Sequence, residues 1–157
     1  MCYNNIGGLM EIRKVQKDDL NKGLVDVFIE GYRYHCDGRP DIFSHKSDDN
    51  LKEDLVKAIV NDSILVLEDE DKIVGYIDYE IREKHAKTIW VDQLVISEKC
   101  RGKGYGKKLM EEIARIAKEE GCERIELECW SFNDSALGMY KHLGFDEQRV
   151  KLETKVK

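Results

Sequence analysis

Residues 91–108, VDQLVISEKCRGKGYGKK, combine residue types and spacings with a clear chemical use. An apolar run, a short charged bend, the glycines Gly102, Gly104 and Gly106, and a helical pattern follow one another directly. A strand that turns through glycines into a helix aims several backbone N–H groups, and the positive end of the helix dipole, at one point. Such a point suits an anion, most often a phosphate. Two other phosphate loops are excluded by spacing. The pattern G-x-x-x-x-G-K-[ST] fails because Lys108 follows Gly106 and Lys107, and because Arg101 stands five before Gly106. The pattern G-x-G-x-x-G fails because, counted from Gly102 and Gly104, Lys107 occupies the place of the third glycine. What fits is Arg101-x-x-Gly104-x-Gly106 after a Val/Ile-rich strand.

A second stretch, NDSALGMYKHLGF over residues 133–145, places Asn133 at a helix start, Tyr140 seven residues on and a Gly-Phe pair at its end. Together the two stretches resemble the GNAT superfamily of acyl-CoA-dependent N-acetyltransferases over roughly residues 90–145. The first third of the chain resembles it only in the order of elements. Around Glu128 the run L-E-C-W-S-F-N is similar to the ribosomal-protein alanine N-acetyltransferase branch, which carries its catalytic glutamate there. The resemblance implies an α/β fold with a mixed, mostly antiparallel sheet, a central splayed parallel strand pair and about four flanking helices. It implies acetyl-CoA as cosubstrate, an amine acceptor and no metal; many relatives pair as a homodimer, but no exposed apolar stripe stands out in this sequence, which leaves the oligomeric state open. The cosubstrate's arm would bond to the backbone of Leu94, Val95 and Ile96 like an added strand. Its pyrophosphate would meet the loop Arg101, Gly102, Lys103, Gly104, Tyr105, Gly106 and Lys107. Asn133 would hold an amide of the arm, and Tyr140 would stand at the sulfur.

An amine that attacks a thioester poses two proton problems. A lysine-like amine with a pKa of ~10.4 is free base only about once in a few thousand molecules at neutral pH, so a base must take a proton. Glu128, by the resemblance, and Asp92, a carboxylate between Trp90 and Leu94 on an otherwise apolar strand, compete for that role. The leaving thiolate also needs a proton, which a tyrosine such as Tyr140 can supply. A backbone N–H near Leu94 or Val95 would stabilise the oxyanion. A covalent route through Cys129 lacks a histidine at a partner spacing; His85 and His142 read as structural or exposed. The competing function is an acyl-CoA-binding sensor or interaction module without turnover.

The elements that must position these groups can be read in order. Residues 1–9 carry little pattern and read as a loose extension ahead of a single domain over 10–157. From Met10 the sequence alternates as a first strand, and from about Asp18 it turns helical until near His35. Residues 32–43, YRYHCDGRPDIF, read as a loop in which Tyr32, His35 and Phe43 are candidates to line an acceptor pocket. Ser47 caps a second helix. Residues 64–67 and 72–82 form a hairpin about an acidic turn at 68–71, and 87–96 completes an antiparallel meander. A helix over 104–120 crosses to a parallel strand at 123–129, then a helix ends at Gly144 and residues 145–155 offer a final strand.

At 157 residues, with 41% hydrophobic and 37% charged residues, the chain reads as one globular domain. Five cysteines without C-x-x-C spacing suggest reduced thiols and no zinc site. A net charge of −6 argues against nucleic acid as a partner. With no apolar run long enough for a bilayer and no signal-peptide pattern, the expected location is cytoplasmic, away from any membrane.

Overall fold

Ile, Leu and Val at 64–67, and Ile73, Val74 and Ile77, favour extended backbone, and they form the two innermost strands of one sheet. The computed structural model of the chain describes residues 3–4 and 9–156. Six strands lie across the sheet in chain order: β1 (Tyr3–Asn4), β2 (Leu9–Lys14), β3 (Ile64–Asp69), β4 (Lys72–Glu83), β5 (Lys87–Ile96) and β6 (Arg124–Leu127). All neighbours pair antiparallel except β5 and β6, which are parallel. Helices α1 (Leu24–Gly38) and α2 (Asp48–Ala58) precede β3, α3 (Tyr105–Glu119) crosses from β5 to β6, and α4 (Asp134–His142) follows β6.

Strand alternation sorts the core into two layers. Ile64, Val66, Ile73 and Tyr76 pack with Leu24, Val27 and Leu55 of α1 and α2. Leu65, Leu67, Ile77 and Ile89 pack with Leu109, Met110 and Ile113 of α3 and Tyr140 of α4. Helices therefore cover both faces. Among the described residues no helix is long and apolar enough to cross a membrane.

Two irregularities coincide in β5. Asp78 lies opposite Gln93 but Tyr79 lies opposite Val91, so Asp92 is an extra, bulged residue. The parallel ladder with β6 ends at Val91 and Leu127, while β5 runs on to Ile96. Residues 92–96 thus have a neighbour on β4 only, which is the splay that the sequence resemblance implies.

Several expectations need correction. The first helical stretch is split into a 3-10 turn (Lys17–Asn21) and α1, because Gly23 takes a φ of 105° between them. Helix α1 persists to Gly38, two residues short of Pro40, so Tyr32 and His35 are helical and only Phe43 lies in the following loop. The turn between β3 and β4 is Glu70 and Asp71, both with positive φ (51° and 62°), and Glu68 is a buried strand residue. The strand at 123–129 shortens to four residues. Residues 145–156 join no ladder: Val150, Leu152 and Val156 alternate but stay exposed, and alternation forms a strand only where an edge accepts it. Of residues 1–9, expected to be loose, Tyr3–Asn4 pair with Leu9 and Met10, and residues 1–2 and 5–8 lie outside the described residues.

A buried ion network joins the first strand to the hairpin. The Asp19 carboxylate, 1% exposed, accepts from both terminal nitrogens of Arg13 (2.8 and 2.7 Å) and from the Gln16 N–H (2.7 Å). Arg13 also donates through Nε to Glu68 (3.1 Å), which accepts from Lys22 (3.2 Å). Burial alone would raise the Asp19 pKa; the Arg13 and Gln16 hydrogen bonds and the charges of Arg13 and Lys22 outweigh it and hold it below its ordinary value. Because the folded pKa is depressed, this stabilisation is complete above the unfolded carboxylate pKa and is lost as pH falls through the folded one. Asp19→Asn is therefore expected to cost about 2–3 kcal/mol in urea denaturation at pH 7. The gap from the parent protein should narrow at acid pH; a gap that is unchanged there would contradict the assignment.

Candidate active site

The loop after β5 reverses through two glycines with positive φ, Gly102 (77°) and Gly104 (79°). A Cβ built at either would touch nothing, so the backbone angle demands glycine and the space above the loop stays open. The first closing bond of α3 runs from Lys108 N–H to the Gly104 carbonyl (3.1 Å), and no side chain caps the helix. The N–H groups of Tyr105, Gly106 and Lys107 are therefore without an acceptor among the described residues, at the positive end of the dipole. Gly106 is different. It is buried, and a Cβ there would lie 2.9 Å from Met139 Sδ, so its role is the close approach of α3 and α4.

The charged side chains of the loop are placed as follows. Arg101 donates through Nε to the Ile96 carbonyl (3.2 Å) and stands 5.7 Å from the centre of the Tyr34 ring. Lys103 lies over Tyr105 at 5.9 Å, and Lys107 pairs with Glu111 at 3.7 Å. The Tyr105 hydroxyl donates to Asp69 (2.5 Å), and that bond, with burial, pushes its pKa up to about 12. Tyr105 can thus offer an anion its backbone N–H only.

Along the open edge of β5, Leu94 packs into the layer that holds Tyr140, and Val95 faces α1. Gly31 of α1 sits so close that a Cβ would come within 2.8 Å of Val95, which holds α1 against this edge. Across the gap, Asn133 caps α4 by accepting from the Ala136 N–H (3.2 Å) and accepts from the Tyr34 hydroxyl (3.4 Å). Its amide oxygen is committed while its NH2 group has no acceptor among the described residues. Tyr140 is buried beside Phe145 (5.6 Å between ring centres), and its hydroxyl has no hydrogen-bond partner among the described residues. Burial, and then the charge of a Cys129 thiolate, push its pKa up to about 12, so it remains a neutral donor. Burial likewise pushes the Cys129 thiol up, which keeps it protonated and a poor nucleophile.

The sequence-predicted carboxylates part company here. Asp92 is exposed at the bulge. Glu128 is exposed beyond the end of β6 and accepts from Arg149 Nη2 at 2.9 Å. A third group, Asp78, was not legible as a site residue. It is half-buried opposite Gln93 and accepts from Ser63 Oγ (2.6 Å). Burial raises its pKa, the Ser63 bond opposes this, and the charge of Asp92 adds to the rise. Between the strands the buried Tyr76 hydroxyl donates to Gln93 Oε1 (2.5 Å); burial, and then the charges of Asp78 and Asp92, push that phenol up as well. Asp78 and Asp92 thus bear on one spot.

Of the acceptor candidates, His35 and Phe43 are 5.4 Å apart and Tyr32 lies edge-on to Phe43 at 6.4 Å. Trp130 and Phe132, unremarked in the sequence reading, join them. Burial lowers the His35 pKa, opposed by the hydrogen bond that its Nδ1–H donates to the Gly31 carbonyl (3.0 Å). No metal-binding group of His, Cys, Asp and Glu occurs among the described residues.

Comparison with known proteins agrees with this geometry. The chain is 33% identical over 83 residues to spermine/spermidine N(1)-acetyltransferase of Bacillus subtilis, covering 48% of this chain and 54% of that one. It is 29% identical over 74 residues to thialysine N-epsilon-acetyltransferase of Bos taurus, covering 46% and 44%. The chain therefore spans about half the length, or less, of these curated relatives. Among solved structures, the BH1408 protein of Bacillus halodurans, as a tetramutant, superposes with a TM-score of 0.80 at 24% identity, over 93% of this chain and 99% of that one. An aminoglycoside N-acetyltransferase, AAC(6')-Iy in complex with CoA, superposes with a TM-score of 0.73 at 18% identity, over 98% and 99%. These relatives lend no support to the likeness with the ribosomal-protein alanine branch. The acetyltransferase (GNAT) family model matches residues 28–145, and the chain belongs to that family.

Proposed function

We propose that the protein transfers an acetyl group from acetyl-CoA directly to a primary amine within a ternary complex. The observation that carries this reading is the parting of β5 from β6 at the Asp92 bulge. It leaves unpaired backbone at 92–96, with unbonded helix N–H groups at one end and the unbonded Tyr140 phenol beside it. The N–H groups of α3, with Arg101 and Lys103, take the pyrophosphate; the open β5 edge takes the amide-bearing arm; the Asn133 NH2 group holds one of its carbonyls.

The carboxylate pair Asp78 and Asp92 attracts the ammonium and takes its first proton, directly or through water. The freed nitrogen forms a bond to the thioester carbon, and the carbonyl electron pair moves to oxygen, where a β5 N–H holds it. Collapse breaks the C–S bond. Tyr140 donates its proton as the sulfur leaves, and the second proton of the nitrogen restores the phenol through water. One nitrogen proton thus ends on sulfur and the other leaves to solvent. With the phenol near 12 and a thiol near ~8.5, complete transfer to a free thiolate would be uphill by about 5 kcal/mol. Tyr140 therefore acts while the C–S bond is still breaking, as a strong hydrogen-bond donor to the growing negative charge.

The reading is tested in two steps. Isothermal titration with acetyl-CoA should show binding that Gly104→Glu weakens roughly 10²-fold, because that change puts a strained backbone and a negative charge where the phosphates sit. Absence of binding in the parent protein would remove the whole reading. Release of free thiol with a panel of amines then tests catalysis, with Tyr140→Phe expected to lower kcat roughly 10²-fold and to leave acetyl-CoA affinity nearly intact. Asp92→Asn should lower kcat/KM by a similar factor of roughly 10² and Glu128→Gln by no more than about threefold. The reverse order would move the base to Glu128. Tight binding of acetyl-CoA with no amine consumed would favour a binding module instead.

A further inference from the structure

Tyr34 and His35 of α1, Phe43 of the following loop, and Trp130 and Phe132 of the β6–α4 loop form one contiguous set of rings. Successive centres are 5.4 Å (His35–Phe43), 5.7 Å (Phe43–Trp130), 6.1 Å (Trp130–Phe132) and 5.8 Å (Phe132–Tyr34) apart. Two stretches far apart in sequence, residues 34–43 and 130–132, converge to make it. Unlike the core rings Tyr76 and Tyr140, which are buried, all five are only half-buried, so aromatic surface remains open. Gly38 is part of the arrangement: a Cβ there would lie 2.3 Å from the Phe132 ring, so α1 can seat that ring only with glycine.

The set borders the candidate reaction centre. Tyr34 bonds to Asn133, the cap of the helix that carries Tyr140, and Trp130 follows Cys129, which packs against the core layer that holds Tyr140. Its electrostatics are also specific. The Arg39 guanidinium covers Trp130 at 5.2 Å and is bonded to Asp41 (2.9 and 2.8 Å) and Glu153 (3.1 Å). Glu128 is bonded to Arg149. Asp41, Glu153 and Glu128 at this end are thus each held by one of two guanidinium groups, Arg39 or Arg149. Asp78 and Asp92, which form no ion pair among the described residues, offer negative charge at the bulge, which suits an ammonium.

Resting on the acetyltransferase reading, we propose that this ring set is an acceptor subsite and that the acceptor is a monoamine carrying an aromatic ring a few bonds from its nitrogen. The ring stacks edge-to-face among Phe43, Trp130 and Phe132 while the amine reaches the bulge. A polyamine has no ring to place there.

The test is equilibrium binding of three probes, phenethylamine, butylamine and spermidine, to the protein saturated with CoA, followed by turnover with acetyl-CoA. Phenethylamine should bind roughly tenfold more tightly than butylamine, from burial of its ring. Phe43→Ala should bring phenethylamine down to the level of butylamine, and Phe43→Leu, which keeps apolar bulk, should fall between; retained CoA affinity shows that each variant is folded. Equal affinities for phenethylamine and butylamine, tightest binding of spermidine, or a preference that survives Phe43→Ala would overturn the proposal. If the parent protein binds no CoA, the acetyltransferase reading falls and this proposal with it; if CoA binds and ring preference is absent, only the proposal falls.

Discussion

The structure depends on one extra residue in β5. Had Asp92 been paired in register, β5 would have kept a regular ladder with β4 and could have continued beside β6. The bulge instead adds local twist at the position where the parallel pairing ends, so the two strands part. Everything assigned to the site follows from that separation. The backbone of 92–96 keeps hydrogen-bonding capacity on one side, and α3, which crosses between the parted strands, begins with its N-terminal N–H groups just past the open edge. A fully paired sheet would present neither.

The same separation lets two chemically different faces meet. Alternation along β5 sends Leu94 toward the α3 and α4 layer, where Tyr140 is buried, and Val95 toward α1. In the proposed mechanism the acid for sulfur therefore comes from one side of the sheet, and the negative charge for the amine, Asp78 and Asp92 around Tyr76, gathers by the other. Separation of acid and base matters physically. A carboxylate next to the Tyr140 hydroxyl would accept its proton in a hydrogen bond and compete with sulfur. With no hydrogen-bond partner among the described residues, that hydroxyl is free to respond to charge that develops only during reaction.

The parts legible in the sequence are those whose physics is local. Gly102 and Gly104 were readable because this strand-to-helix reversal takes positive φ at two alternate positions, and the N–H groups that it exposes belong to the same stretch. The helix pattern of α3 and the position of Tyr140 on α4 were similarly local. Asp78 was not legible, since its neighbour Asp92 and its partner Ser63 come from different strands and the alternating run around it looks ordinary. Tyr34 and Phe132 were missed for the same reason: their contact joins segments nearly a hundred residues apart. The expected last strand failed in the opposite direction. Alternation of Val150 and Leu152 signals a willingness to be a strand, whereas the side-chain contacts of this segment, Arg149 with Glu128 and Glu153 with Arg39, hold it without a ladder.

Those two ion pairs also show how the acceptor side acquires its character. All four side chains are at least partly exposed, and pairs of this kind contribute little to stability. Their effect is on charge. Arg149 and Arg39 offset part of the charge of Glu128, Glu153 and Asp41 at the end where the rings gather, and the aromatic surface lies beside these pairs. Asp78 and Asp92 add negative charge at the bulge. A ligand that satisfies both the ring set and the bulge carries its cation and its apolar group on different parts of the molecule.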